Sequence, residues 1–176
     1  EYNDVIYNSI KHLENDKLKL INNDFLMFDE LKKYDLIIGN PPYYVMKQSK
    51  ITKYYSSFFE GRPNIFILFI IKSLSLLNDN GILSFVLPKN FLNCLYYNKT
   101  RKYIESKFKI LSITNCSDRY IETQQDTIVL NLQKTSDFNN GLYVKKINSY
   151  VLFGHPDSIV NMNRLHSSSK SLSDLD

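Results

Sequence analysis

The chain has 176 residues, 43% of them apolar and 14% aromatic, with a formal net charge of +4. That length accommodates one domain with a sizeable core, and that composition excludes a disordered tail. The mild basic excess permits a nucleic-acid partner without demanding one. Cys94 and Cys116 stand far apart, and neither they nor His12, His155 and His166 form a metal-ligand spacing. This argues against a metal site and for a reduced, cytoplasmic setting. The longest apolar run, residues 65–71, is too short to span a bilayer.

In chain order, Val5, Ile6, Ile10 and Leu13 fall on one side of an N-terminal helix. Residues 17–21 alternate as a strand should, then give way to Asn23-Asp24-Phe25. Residues 36–38, bounded by Asp35 and Gly39, form an apolar run predicted to be a short buried strand. Residues 64–77 make a helix apolar on most sides, and therefore covered by neighbours. Asn80-Gly81 turns into a strand over residues 82–87 that stops at Pro88. An amphipathic helix follows at residues 98–108, with Tyr103, Ile104 and Phe108 on its apolar side. Strands at residues 110–114 and 127–133 are expected to pair like a hairpin at the sheet edge. The alternation of helix and strand points to an α/β domain.

The strand at residues 36–38 runs into Asn40-Pro41-Pro42-Tyr43. Two prolines lock φ and remove backbone donors, so this is a rigid turn with carbonyls unpaired by any ladder. In open α/β sheets, ligands bind at the carboxyl ends of strands. A side-chain amide, a free carbonyl and an aromatic face presented there suit a planar amine. An ordinary Asn-Pro-Pro turn is the competing reading. Downstream, Lys47, Lys50 and Lys53 interleave with Met46, Tyr54 and Tyr55, and Arg62 follows. Basic residues among aromatics suit a nucleic-acid backbone and its bases, although a solvated loop would have the same composition.

Asn40-Pro41-Pro42-Tyr43 after an apolar strand resembles the catalytic loop of the amino-methyltransferases, which move a methyl group from S-adenosylmethionine to an exocyclic or amide nitrogen. The resemblance implies that Asn40 and Pro41 accept from the amine and that Tyr43 stacks on the substrate ring. Stacking uses only the ring face, so a phenylalanine is expected to serve at position 43. The element order resembles the S-adenosylmethionine-dependent methyltransferase (Rossmann-like) fold, a mostly parallel sheet with an antiparallel edge hairpin, entered partway through. On that resemblance Glu1 holds the cofactor ribose, Asp24 accepts from the adenine amino group and Phe25 packs on the adenine ring, with Asn40 near the donor. Asp24 as a helix cap and Glu1 as a frayed terminal residue are the competing readings. The stretch from Val86 through Pro88-Lys89-Asn90-Phe91 to Leu92, and Gly61-Arg62-Pro63-Asn64-Ile65-Phe66, resemble N6-adenine DNA methyltransferases of restriction–modification systems. That family implies a flipped adenine clamped between Tyr43 and Tyr120, with Lys47, Lys50, Lys53 and Lys89 toward double-stranded DNA. A strand-edge tyrosine is the other reading of Tyr120.

The resemblance covers residues 1–134, and residues 135–176 are expected to lead toward a target-recognition domain. None of the five glycines lies in a cofactor-enclosing loop, so that loop is expected upstream of Glu1, and the serine-rich residues 167–175 read as a linker. A glutamine methyltransferase acting on release factors, a ribosomal RNA methyltransferase and a catalytically silent DNA-specificity module are the alternatives. Whether a restriction endonuclease accompanies the protein is left open.

Overall fold

The computed structural model describes residues 1–29, 31–47, 53–61, 64–116 and 126–168. The chain divides into two compact units, Glu1–Lys33 and Tyr34–Asp176.

In the first unit, helix α1 (Asp4–Ile10) begins where Asn3 Oδ1 accepts from the N–H groups of Val5 at 2.9 Å and Ile6 at 3.3 Å. Asp4 in its first turn faces the positive end of the helix dipole. The strand expected at residues 17–21 does not form. Asn15 Oδ1 instead accepts from the N–H groups of Lys17 and Leu18, and Asn15 and Leu18 pair backbone to backbone. An asparagine that bonds its own following backbone offers the chain a turn in place of a ladder. The chain extends again beyond it. There Glu1 N–H donates to Ile21 O at 2.8 Å and Asn23 N–H to Glu1 O at 3.0 Å, the staggered pattern of a parallel pair.

The second unit is built on four strands: β1 (Tyr34–Gly39), β2 (Leu77–Pro88), β3 (Lys109–Asn115) and β4 (Thr127–Gln133). Their order is β1-β2-β4-β3, with β1–β2 parallel and β4 antiparallel to both its neighbours. The two late strands pair as expected, but β4 lies inside the sheet and β3 takes the edge. The fold is α/β with a mixed sheet.

Register sorts the side chains onto two faces. Leu83, Phe85 and Leu87 of β2 share the buried face with Ile128, Leu130 and Leu132 of β4. Leu36 and Ile38 lie on the opposite face beside Ile82 and Ser84, and are 58% and 72% exposed. The buried strand predicted at residues 36–38 is therefore a strand, but among the described residues an edge strand with Leu36 and Ile38 exposed. An apolar run reports β-propensity and says nothing of what lies over it.

Between β1 and β2 runs α3 (Ile65–Ser75), preceded by the short helix α2 (Lys53–Ser56). Asn64 caps α3 by accepting from Phe66 N–H, and Phe66, Ile67, Leu68, Ile70, Ile71 and Leu74 are all buried, which explains a helix apolar on nearly every side. β2 starts at Leu77, five residues before the expected Ile82. It passes through Asn80 in the left-handed region (φ 64°) and through Gly81. Helix α4 (Asn98–Lys107) packs on β3. Beyond β4, a hairpin of β5 (Val144–Ile147) and β6 (Tyr150–Phe153) and then α5 (Pro156–Ser168) join the same unit. The serine-rich stretch from residue 169 lies outside the described residues. Among the described residues no helix is long and apolar enough to cross a membrane, and no cluster of His, Cys, Asp and Glu could hold a metal.

Candidate functional site

Gly39 ends β1, and the four residues after it emerge at the carboxyl end of the parallel pair. A Cβ on Gly39 would stand 3.2 Å from Phe85 Cε1, so the Phe85 ring would have to give by a few tenths of an ångström to admit a larger residue. Pro41 is buried, Pro42 and Asn40 are exposed, and Tyr43 is half-buried. Tyr43 Oη reaches across the sheet to Val86 O at 2.8 Å and lies 2.6 Å from Asn40 Oδ1. Just beyond, Ile65 N–H donates to Tyr44 O at 3.0 Å, and Val45 bridges Asn64. The loop is thus fastened to β2 on one side and to the start of α3 on the other. It is rigid by tertiary bonds as well as by proline.

Behind the loop, aromatic rings meet edge to face. Tyr43 packs on Phe66 at 6.0 Å, Phe66 on Phe91 at 6.0 Å, and Phe91 on Phe153 of β6 at 6.1 Å. Such pairs add to the area they bury and hold each ring in one plane. Phe91 comes from the turn Lys89–Leu92 that follows β2 at Pro88, where the strand was expected to stop.

The lysines are placed unevenly. Lys47 and Lys53 are exposed, and Lys53 opens α2. Lys89 Nζ is 3.4 Å from Asp126 Oδ2, and its backbone N–H donates to Asp126 O, so part of its charge is met locally. Tyr54 and Tyr55 meet at 5.1 Å, and Tyr54 leads through Phe58 to Tyr103 of α4. These rings pack on one another, which an alternation of Lys and Tyr in sequence does not disclose. Lys50, Arg62 and Tyr120 lie outside the described residues.

In the first unit, the parallel pairing sets Glu1 beside Asn22, two residues before Asp24. Asn3 N–H holds one oxygen of the Glu1 carboxylate at 2.8 Å, and Leu26 N–H holds Asp24 Oδ1 at 2.9 Å. Asp24 therefore does make the turn-capping bond that was the competing reading. A carboxylate has about four acceptor sites, so one such bond directs the group without exhausting it. Tyr2, Asp4, Asn22, Asn23, Asp24 and Met27 line an open cleft of about 580 Å³. Phe25 is half-buried.

Sequence reasoning passed over two groups here. One is the Val86 carbonyl, a backbone atom with no residue-type signature. The other is Arg101, set in the polar run Asn98-Lys99-Thr100-Arg101-Lys102 yet fully buried, its Nη1 donating to Phe91 O at 2.9 Å and Cys94 O at 2.8 Å.

Type II methyltransferase M.BstVI of Geobacillus stearothermophilus is 31% identical over 147 residues, covering 74% of this chain and 23% of its own length. Type II methyltransferase M.CvrRI of Paramecium bursaria Chlorella virus XZ-6E is 37% identical over 97 residues, covering 54% of this chain and 25% of its own. The chain thus spans about a quarter of the length of these curated relatives. Among solved structures, a Listeria monocytogenes protein assigned to the class I S-adenosylmethionine-dependent methyltransferases superposes with a TM-score of 0.56 at 18% identity. That match covers 80% of this chain and 44% of that one. The type IIG restriction endonuclease BpuSI gives a TM-score of 0.53 at 17% identity, covering 85% and 19%. The chain shares its fold with parts of both. The family model described as Eco57I restriction-modification methylase matches residues 1–121, and the chain belongs to that family.

Proposed function

We propose that the full-length protein transfers a methyl group from S-adenosylmethionine to the N6 amino group of adenine in DNA, with the target base extruded from the duplex. The observation that carries this reading is the rigid Asn40-Pro41-Pro42-Tyr43 loop at the carboxyl end of β1, fastened to β2 and α3, in a chain of a restriction–modification methylase family.

The chemistry explains the residue types. An exocyclic amine on an aromatic ring has a delocalised lone pair and is a weak nucleophile. Asn40 Oδ1 and the Pro41 carbonyl accept from its two N–H groups and draw the nitrogen toward tetrahedral geometry. That arrangement favours the transition state over the planar ground state and sets the direction of attack. Tyr43 and Tyr120 clamp the extruded ring, as aromatics do in pockets for flipped bases. Lys47, Lys50, Lys53 and Lys89 meet the phosphate backbone.

Glu1, Asp24 and Phe25 fit the cofactor by their donor set. Two carboxylates, each steered by a backbone N–H, accept from hydroxyl and amino groups, and a half-buried aromatic ring offers a face for adenine. S-adenosylmethionine, when bound, supplies a methyl carried on a positive sulfur that leaves as a neutral thioether.

The test is Asn40→Ala in the full-length enzyme. Transfer of tritiated methyl to DNA is expected to fall on the order of 100-fold or more, with cofactor affinity close to the parent's by calorimetric titration. Near-normal transfer sinks the assignment of Asn40, and transfer to a protein or RNA in place of DNA sinks the substrate.

A further inference from the structure

Tyr43 Oη stands within hydrogen-bond distance of two oxygens at once, Val86 O at 2.8 Å and Asn40 Oδ1 at 2.6 Å. A phenol has one proton. The Val86 carbonyl can only accept, and it lies one residue beyond the last β1–β2 pair, Gly39 with Phe85. Pro41 and Pro42 have no N–H with which to continue that ladder. The phenol proton therefore goes to Val86. A second carbonyl-type oxygen 2.6 Å from the same Oη would then meet it lone pair to lone pair. The two arms of an asparagine amide have the same shape, and the proton count decides which one faces a neighbour. The contact is satisfied when Nδ2 faces Tyr43 and donates to Oη.

From this we infer that the Tyr43 hydroxyl is the positioning group for Asn40: it takes a hydrogen bond from Nδ2 and thereby turns Oδ1 toward the exposed side of the loop, as the acceptor for the substrate amine. This rests on the amine methyl transfer proposed above. Asn40 is exposed, so nothing but this bond among the described contacts selects between its two orientations. With the amide reversed, an N–H would face the N–H of the amine and neither could bond. The same tether, with the edge-to-face contact on Phe66, fixes the plane of the tyrosine ring. Acceptor atom and stacking surface are thus aligned by one hydroxyl, whereas stacking alone led to the expectation that phenylalanine would serve at position 43.

The experiment uses Tyr43→Phe in the full-length enzyme, which keeps the ring and removes only the hydroxyl. Single-turnover methyl transfer to DNA is expected to fall about tenfold to hundredfold, the scale of a misdirected catalytic contact. KM for DNA and the fluorescence of 2-aminopurine at the target position should stay close to the parent's, because the ring still stacks. In an Asn40→Ala background, adding Tyr43→Phe should cost nothing further, because the hydroxyl acts through Asn40. A parental rate in Tyr43→Phe beside an inactive Asn40→Ala overturns the positioning role alone. So does a loss that multiplies independently in the double variant, or a collapse of base stacking with kcat preserved. A parent enzyme that transfers no methyl to adenine in DNA overturns the functional reading, and the positioning role with it.

Discussion

Arg101 is the residue whose environment departs furthest from what its neighbours in sequence suggest. Its guanidinium is fully buried and donates to the carbonyl oxygens of Phe91, Cys94 and Val151, joining the turn after β2 to strand β6. Asn98, one helical turn earlier, accepts from Val151 N–H at 2.9 Å and donates to Ser149 O. The two side chains of α4 thus grip the backbone of the hairpin much as a neighbouring strand would. Burial lowers the Arg101 pKa to about 10, so the group stays charged at neutral pH with carbonyl dipoles as its counterparts. A lysine lacks the planar fork that reaches several carbonyls together. Arg101→Lys is therefore expected to cost about 2 kcal/mol or more, from buried carbonyls left unpaired. Urea denaturation measures it, and a parental midpoint would mean that the fork is not what holds the hairpin.

At the level of elements, β2 decides more than its sequence suggests. It begins immediately after the C-terminus of α3, and its first residues form a kink in which Asn80 is left-handed and Gly81 sits against backbone. A Cβ on Gly81 would stand 2.8 Å from Tyr34 O and 2.9 Å from Asn78 O. Neither atom can yield without moving the β1–β2 ladder at the place where its register already slips, between Tyr34 and Leu36. Gly81→Ala should destabilise by about 1–3 kcal/mol, as overpacking against fixed atoms does. Gly141→Ala is the control, since its Cβ would meet only the end of the Asn139 side chain at 3.1 Å. Thermal melts of the two variants side by side test the contrast, and equal melting temperatures would refute it.

For the second unit taken whole, stability should depend on alkaline pH through its buried and half-buried tyrosines. Tyr55, Tyr97 and Tyr103 all have pKa values raised above the ordinary 10.0, first by burial, with Tyr54 adding to Tyr55 and Tyr103 and Cys94 adding to Tyr97. A raised folded pKa means that the folded chain keeps protons that the unfolded chain releases. That contribution is complete below pH 10.0 and is lost as pH rises through the folded values. Arg101 acts in the opposite sense above about pH 10, because its folded pKa is lowered to about 10. Urea midpoints should therefore hold level to about pH 10, the unperturbed tyrosine value, and fall above it, less steeply in Tyr103→Phe. An unchanged slope in that variant would show that Tyr103 releases its proton as freely folded as unfolded. The cluster through Tyr54, Phe58 and Tyr103 makes that outcome unexpected.

The features legible in the sequence were those that local chemistry imposes. Two prolines after Gly39 dictate a rigid turn whatever surrounds it, Asn64 signals the start of α3, and Pro88 ends β2, because φ, capping and missing N–H groups are properties of a few adjacent residues. The class of fold followed from the alternation of periods along the chain. What the sequence left undecided depends on atoms far apart in it. Whether residues 36–38 are covered, whether residues 17–21 find a ladder, and where β4 inserts are set by the neighbour an element meets, and periodicity carries no record of neighbours. The candidate site divides in the same way. Asn40, Pro41 and Tyr43 could be named from their order alone, but the bond from the Tyr43 hydroxyl to Val86 O spans 43 positions in the chain. Only folding brings that carbonyl within reach, and with it the one-proton constraint that gives the Asn40 amide a direction.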